Sequence, residues 1–260
     1  MRAALHTGQI RTRSGTERKW KYAMTDLALV TGGSRGIGAA IAARLTADGM
    51  GVIIVDREEP GHSHLSEFIR LDLSDPVGTA AELSRLCQRR AITRLINNAG
   101  IVMPGSIEEV EVDSLDRVMA VNIKAAIVCV QALLPAMKAA RFGRIVNISS
   151  RVALGKELRT VYAASKAGLH GVTKTWALEL GRHGITVNAV GPGPIRTSLF
   201  DAVNPAESTR TRDIIARVPV GFIGEPKDVA DAVSFFASER ARFVTGQVLY
   251  VCGGMTVGSA

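Results

Sequence analysis

Leu27-Ala28-Leu29-Val30-Thr31-Gly32-Gly33-Ser34-Arg35-Gly36-Ile37-Gly38 is the stretch that decides the fold. Leu27–Thr31 is a short apolar run and reads as a strand covered on both faces. Glycines then interrupt it. From Gly36 an apolar-periodic stretch runs to Asp48 and reads as a helix. Strand, Gly-rich turn and helix start, in that order, are what a bound dinucleotide requires. Glycine reaches positive φ and lets the backbone approach a pyrophosphate closely. The helix N-terminus adds free N–H groups and the positive end of a dipole. Gly32, Ser34, Arg35, Gly36, Ile37 and Gly38 are therefore candidate cofactor-binding residues. Their spacing is GxxxGxG, not GxGxxG, and a bare left-handed turn would use the same glycines. The position between strand and helix carries the reading.

The same alternation continues along the chain. Further strands are expected at Gly51–Asp56, Phe68–Asp72, Arg94–Asn97, Arg144–Ser149, Ile185–Val190 and Gln247–Val251. Helices are expected at Pro76–Arg89, Ser114–Ala139, Val161–Gly181 and Pro226–Ala237. Alternating β and α over the whole length implies a doubly wound α/β fold, with a parallel seven-stranded sheet and helices on both faces. Ser150–Thr160 and Gly191–Glu225 lack clear periodicity and read as loops. Both follow strands at the carboxyl edge of the sheet, where ligands bind in open α/β folds.

Composition sets bounds on this reading. At 260 residues, 47% hydrophobic and 22% charged, the chain has globular character. Residues 24–260 read as one domain. Residues 1–23 read as a basic, solvated tail, whose six lysines and arginines against Glu17 account for five of the eight net positive charges. With so little net charge left on the domain, a nucleic-acid partner is not expected. No apolar run approaches the 18 or more residues of a membrane helix, and Gln131 and Pro135 interrupt the most apolar stretch. Cys87, Cys129 and Cys252 lie far apart, which excludes a disulfide framework or a CxxC metal cluster and matches a reducing, cytoplasmic setting. His62 and His64 read as loop histidines, because no carboxylate or cysteine cluster supports a metal.

Asp56 ends the second strand, 24 residues past Gly32. That is near the offset at which an acid receives the ribose 2′-hydroxyl of NAD, and a carboxylate there repels the 2′-phosphate of NADP. Arg35 and Arg57 pull the other way. The balance favours NAD over NADP. Tyr162 and Lys166 stand four apart on one helix face. A phenol near pH 10 must acidify by a few units to exchange a proton with an alcohol at neutrality, and a neighbouring ammonium favours phenolate.

Taken with these features, Asn97-Asn98-Ala99-Gly100, Asn122, Asn147-Ile148-Ser149-Ser150, Tyr162-Ala163-Ala164-Ser165-Lys166 and Pro192-Gly193 give a chain that resembles the short-chain dehydrogenase/reductase family over essentially all of residues 24–260. The resemblance implies a Rossmann fold, a homotetramer and hydride transfer between a nicotinamide cofactor and a small-molecule secondary alcohol or ketone. It implies Tyr162 as acid/base, and Lys166 as the group that tunes Tyr162 and holds the nicotinamide ribose. Ser150 would be the donor to the substrate oxygen, and Asn122 would hold a water. It places Asp72 and Leu73 beside the adenine, and Asn98, Ala99 and Gly100 along the adenosine ribose. Pro192, Gly193, Ile195 and Thr197 would lie along the rest of the cofactor.

Three departures stand out. Ser150 lies 12 residues before Tyr162, while Ser149 lies at the more usual 13, so Ser149 is a rival. The 16 residues from Asp56 to Asp72 leave no room for the usual crossover helix. Cys252 stands where an acid is more familiar, and reads as a small buried residue. The expected pocket is mostly apolar: Met103, Val152, Leu154, Leu158, Leu199 and Phe200. Lys156, Arg159, Arg196, Arg210 and Arg212 in the same loops could meet an anionic substrate, or could simply be solvated. The substrate could be a 3-oxoacyl thioester or a cyclic alcohol. A different class of function, a non-catalytic nicotinamide-binding sensor or scaffold, would leave the Tyr162/Lys166/Ser150 set without a purpose.

Overall fold

The computed structural model describes residues 26–61 and 67–257. The basic stretch 1–23, His62 and His64 lie outside the described residues. Seven parallel strands run β1 (Leu27–Thr31), β2 (Gly51–Asp56), β3 (Glu67–Arg70), β4 (Arg94–Asn97), β5 (Gly143–Ile148), β6 (Ile185–Pro192) and β7 (Val248–Val251). Their order in the sheet is β3-β2-β1-β4-β5-β6-β7. The order reverses between β1 and β4, which opens a crevice at their carboxyl ends.

The strands β1 and β2 are apolar almost throughout because both faces are covered. Along β1, Ala28 and Val30 enter one core and Leu29 the other. Along β2, Val52 and Ile54 face the first core, while Ile53 and Val55 face the second. Helices α1 (Gly36–Ala47) and α8 (Pro226–Ala237) close the first core with Ile41, Leu45, Val229 and Phe236. Helices α2 (Pro76–Cys87), α4 (Ala125–Ala140) and α5 (Thr160–Leu180) close the second with Leu83, Leu133, Met137 and Leu180. Each such side chain stabilises the fold by about 1.5–3 kcal/mol.

Two expectations change. The segment Gly191–Glu225 is not simply a loop, since it contains α6 (Ser198–Val203) and α7 (Thr209–Ala216). Thr197 Oγ1 caps the first by accepting from Phe200 N at 3.2 Å, and Ser208 Oγ caps the second by accepting from Thr211 N at 3.2 Å. These caps hold helices too short to show apolar periodicity. The helix expected at Ser114–Ala139 starts with α3 (Asp113–Met119), passes through a π turn at Ala120–Lys124 and continues as α4. The whole run Asp113–Ala140 is long and apolar enough to cross a membrane, against the expectation of no such stretch. Gln131 and Pro135 do not interrupt it, and Ala125, Cys129, Leu133 and Met137 bury one of its faces against the sheet and its neighbours.

Between β2 and β3 no helix occurs among the described residues. Ser150–Thr160 contains only a 3₁₀ turn at Arg151–Leu154 before α5 begins.

Candidate active site

The glycine turn closes over the carboxyl ends of β1 and β4. Gly32 sits at φ +63°, and a Cβ there would lie 2.9 Å from Ala99 Cα, so only glycine fits. Asn98 Nδ2 donates to the carbonyls of Thr31 and Gly32 at 3.0 and 2.8 Å. Thr31 Oγ1 accepts from the backbone N–H groups of Asn98 and Ala99 at 3.0 and 3.1 Å. Thr31 therefore welds β4 to the turn, a role the sequence reading did not give it. Its place at the head of the Gly-rich stretch was the available signal.

Helix α1 begins after Arg35 with no side-chain cap, whereas Asp75 caps α2 through Val77 N and Gly78 N, both at 3.0 Å. The first-turn donors of α1 thus face the crevice at Gly36, Ile37 and Gly38, which suits a phosphate. Ser34 N donates to Asp56 Oδ2 at 3.1 Å, and Ser34 Oγ to the Glu58 carbonyl at 2.5 Å. The other Asp56 oxygen takes Arg57 N at 2.7 Å. Arg35 pairs with Glu58 at 3.1 Å in solvent. These residues fit an adenosine ribose and pyrophosphate.

Asp72 follows β3 and accepts from Ser74 N and Ser74 Oγ, which hold its carboxyl below the usual range; Leu73 is buried beside it. Gly193 N donates to Val251 O, Ile195 bridges to Gly224, and Thr197 Cγ2 would lie 3.5 Å from a Cβ on Gly36. Thr197 is thus both a helix cap and a neighbour of the glycine turn. Pro192 ends β6. Cys252 is buried, with its sulfur 3.4 Å from Thr256 Oγ1.

Helix α5 is fastened to the end of β5. Asn97 Nδ2 donates to Asn147 Oδ1 and Asn147 Nδ2 to Thr173 Oγ1, both at 2.9 Å. Ser149 Oγ donates to the Lys166 carbonyl at 3.0 Å and lies 2.7 Å from His170 Nε2. Ser149 is therefore turned into α5. Ser150 instead accepts from Val152 N at 3.1 Å, and its hydroxyl lies near enough to the Tyr162 phenol to pull that group's pKa down. Strand alternation accounts for the split, because adjacent residues point to opposite faces.

Lys166 is buried and donates to the Ile148 carbonyl at 2.8 Å, with Nζ 5.6 Å from the Tyr162 ring centre. Burial pushes its ammonium down to about 8. Gly100 makes room for it, since a Cβ there would lie 3.2 Å from Nζ and 3.3 Å from Asn122 Oδ1. Asn122 lies in the π turn. Its Oδ1 accepts from Ile101 N at 2.8 Å, and its Nδ2 donates to Ile101 O and Ser165 Oγ. The side chain is thus occupied by protein, and a water would meet chiefly the backbone that the wider turn frees.

Burial raises the Tyr162 phenol above its ordinary value, against downward pulls from the nearby Ser150 hydroxyl and the Arg159 charge.

Comparison with known proteins agrees with this geometry. A family model described as enoyl-(acyl carrier protein) reductase matches residues 32–256. The chain is 36% identical over 242 residues to the (2S)-[(R)-hydroxy(phenyl)methyl]succinyl-CoA dehydrogenase subunit BbsD of Thauera aromatica, covering 89% of this chain and 96% of that one. It is 37% identical over 238 residues to the 3-oxoacyl-[acyl-carrier-protein] reductase FabG of Vibrio harveyi, covering 88% and 96%. A blue fluorescent protein from a metagenomic library, solved with NADPH, superposes with a TM-score of 0.79 at 35% identity, covering 90% and 98%. The chain therefore belongs to the short-chain dehydrogenase/reductase family, enzymes that use a nicotinamide cofactor to interconvert CH–OH and C=O groups.

Proposed function

We propose that Tyr162 is the acid/base of this oxidoreductase, that Ser150 binds the reacting oxygen, and that Lys166 and Asn122 hold the surrounding framework. The juxtaposition of Ser150 and Tyr162 at the carboxyl end of β5 is the single observation that carries this reading. When bound, the nicotinamide supplies hydride chemistry. Ser150 Oγ would donate to the substrate oxygen and stabilise charge developing there. Tyr162 Oη then gives its proton to that oxygen during reduction, or takes one during oxidation. Lys166 Nζ, 5.6 Å from the ring centre, can return a proton to the phenolate by way of a bridging water and regain one from solvent.

We also propose NAD over NADP. One Asp56 oxygen accepts from Ser34 N in the glycine turn, the other from Arg57 N, and Arg35 is engaged by Glu58, so a 2′-phosphate entering beside the turn would meet the Asp56 carboxylate. The NADPH seen in the metagenomic relative marks the alternative. A homotetramer belongs to the same proposal, since Leu178 on α5 and Phe243 stand in solvent as apolar surface that another copy could cover. A cytoplasmic setting suits the free thiols of Cys87, Cys129 and Cys252.

Tyr162→Phe tests the central assignment. It is expected to retain cofactor binding, measured by fluorescence titration, and to lower kcat by roughly two to four orders of magnitude. An unchanged kcat refutes the role.

A further inference from the structure

The segment that leaves β4 folds back on itself before it reaches α3. Asn122 holds its start, accepting from Ile101 N at 2.8 Å and donating to Ile101 O at 3.1 Å. Further on, Gly105 N donates to Leu158 O at 3.2 Å, and Gly105 bridges to Arg159, three residues before Tyr162. Two turns then reverse the chain. Ser106 O accepts from Val110 N at 2.9 Å, and Glu111 O accepts from Ser114 N at 2.9 Å. Val110 thereby comes down on Gly105, where a Cβ would lie 3.4 Å from Val110 Cα.

The fold-back leaves a half-open cavity of about 210 Å³, lined by Met103, Pro104, Glu109, Val110, Glu111 and Ser114. It lies close to the reacting residues. Met103 is three residues past Gly100, at most about 10 Å of chain, and a Cβ on Gly100 would lie 3.2 Å from Lys166 Nζ. Met103, expected in a mostly apolar pocket, therefore has acidic company. Ser114 is 3% exposed, and its Oγ has no hydrogen-bond partner among the described residues. Buried hydroxyls without a partner are uncommon, and a ligand atom at this wall would supply one.

The charge around the cavity has one sign. Glu108, Glu109, Glu111, Asp113 and Asp116 are all exposed, and no lysine or arginine stands between Gly105 and Asp116. Arg117 reaches Glu111 at 3.5 Å in solvent, where such a pair is weak, and Glu109 accepts from Ser106 Oγ at 3.0 Å. Glu108, Glu109, Asp113 and Asp116 form no salt bridge among the described residues. The chain as a whole carries +8, so this face is the exception. Met103, Pro104 and Val110 suit an alkyl stem, while two carboxylates and a hydroxyl suit a cationic head. The volume is below that of a pocket for a drug-sized ligand, so it takes a group of a few carbon atoms.

We propose that this cavity binds a ligand bearing an ammonium or guanidinium head on a short alkyl stem, with Glu109 and Glu111 on the cation and Ser114 Oγ as a third partner. The site stands beside the oxidoreductase centre and does not depend on that reading.

The test is calorimetry on the full chain at low salt, with n-butylammonium and its neutral counterpart butan-1-ol as probes. n-Butylammonium is expected to bind at least about tenfold tighter. Glu109→Gln combined with Glu111→Gln should close that gap to within about twofold. Glu179→Gln combined with Glu239→Gln, an equal charge change at exposed positions on α5 and after α8, should leave it intact. Ser114→Ala, which breaks no hydrogen bond of the side chain, should weaken n-butylammonium by about threefold without lowering Tm. Thermal melts check that each variant is folded. If the Glu109/Glu111 double variant fails that check, Glu109→Gln alone should still narrow the gap by about threefold. Equal affinities of the two probes, an unaltered gap in the Glu109/Glu111 or Ser114 variants, or an equal loss in the Glu179/Glu239 variant overturns the inference. No cofactor and no turnover enter the measurement, so its failure leaves the oxidoreductase reading untouched.

Discussion

Lys166→Met should make the protein more stable at pH 7 while disabling it. The ammonium is 3% exposed and has been driven from its ordinary 10.5 to about 8 by burial alone. At about 1.4 kcal/mol for each pH unit, keeping it charged at neutrality costs the fold about 3 kcal/mol. Methionine fills a similar volume without charge but forfeits the charge-assisted bond to Ile148 O, worth about 2 kcal/mol. The net gain is about 1 kcal/mol, which for a chain of this size raises Tm by roughly 2–4 °C.

The pH dependence carries the sharper information. Folding depresses the pKa of this amine, so the unfolded chain holds more protons between about pH 8 and 10.5, and wild-type stability rises with pH across that window. The methionine variant lacks that rise, so its advantage should shrink as pH goes from 7 to 10. Differential scanning calorimetry at the two pH values, with kcat measured alongside, gives the answer. A variant less stable than wild type by the same amount at both pH values would show that Lys166 carries no charge penalty.

Two further substitutions separate roles that sequence spacing left tied. Ser150→Ala should reduce kcat by roughly two to three orders of magnitude with little change in Tm, whereas Ser149→Ala should lower stability by about 1–2 kcal/mol through its lost bond to the Lys166 carbonyl and leave kcat within a few-fold. The reverse pattern, read by paired kinetics and thermal melts, exchanges the assignments. Asp56→Ala should raise the NADPH-to-NADH ratio of kcat/KM by about tenfold or more, since it removes the repelling carboxylate beside the Arg57 guanidinium. An unchanged ratio would show that Asp56 does not select the cofactor.

Local chemistry alone was enough to read the strands, the phosphate turn and the order of the reactive residues. Buried parallel strands are apolar at nearly every position, so β1 and β2 could be bounded from residue type. Gly32 and Gly36 announce a turn because few other residues reach their φ. Other features depend on partners distant in the chain. That Ser149, and not Ser150, is bound to α5 depends on the approach of Lys166 and His170 to the backbone just past β5. Helices α6 and α7 depend on single capping side chains, a signal too weak to stand out beside missing periodicity. The upward push on the Tyr162 phenol and the charge penalty at Lys166 come from desolvation, which is set by everything packed around a group and so is invisible in a spacing of four residues.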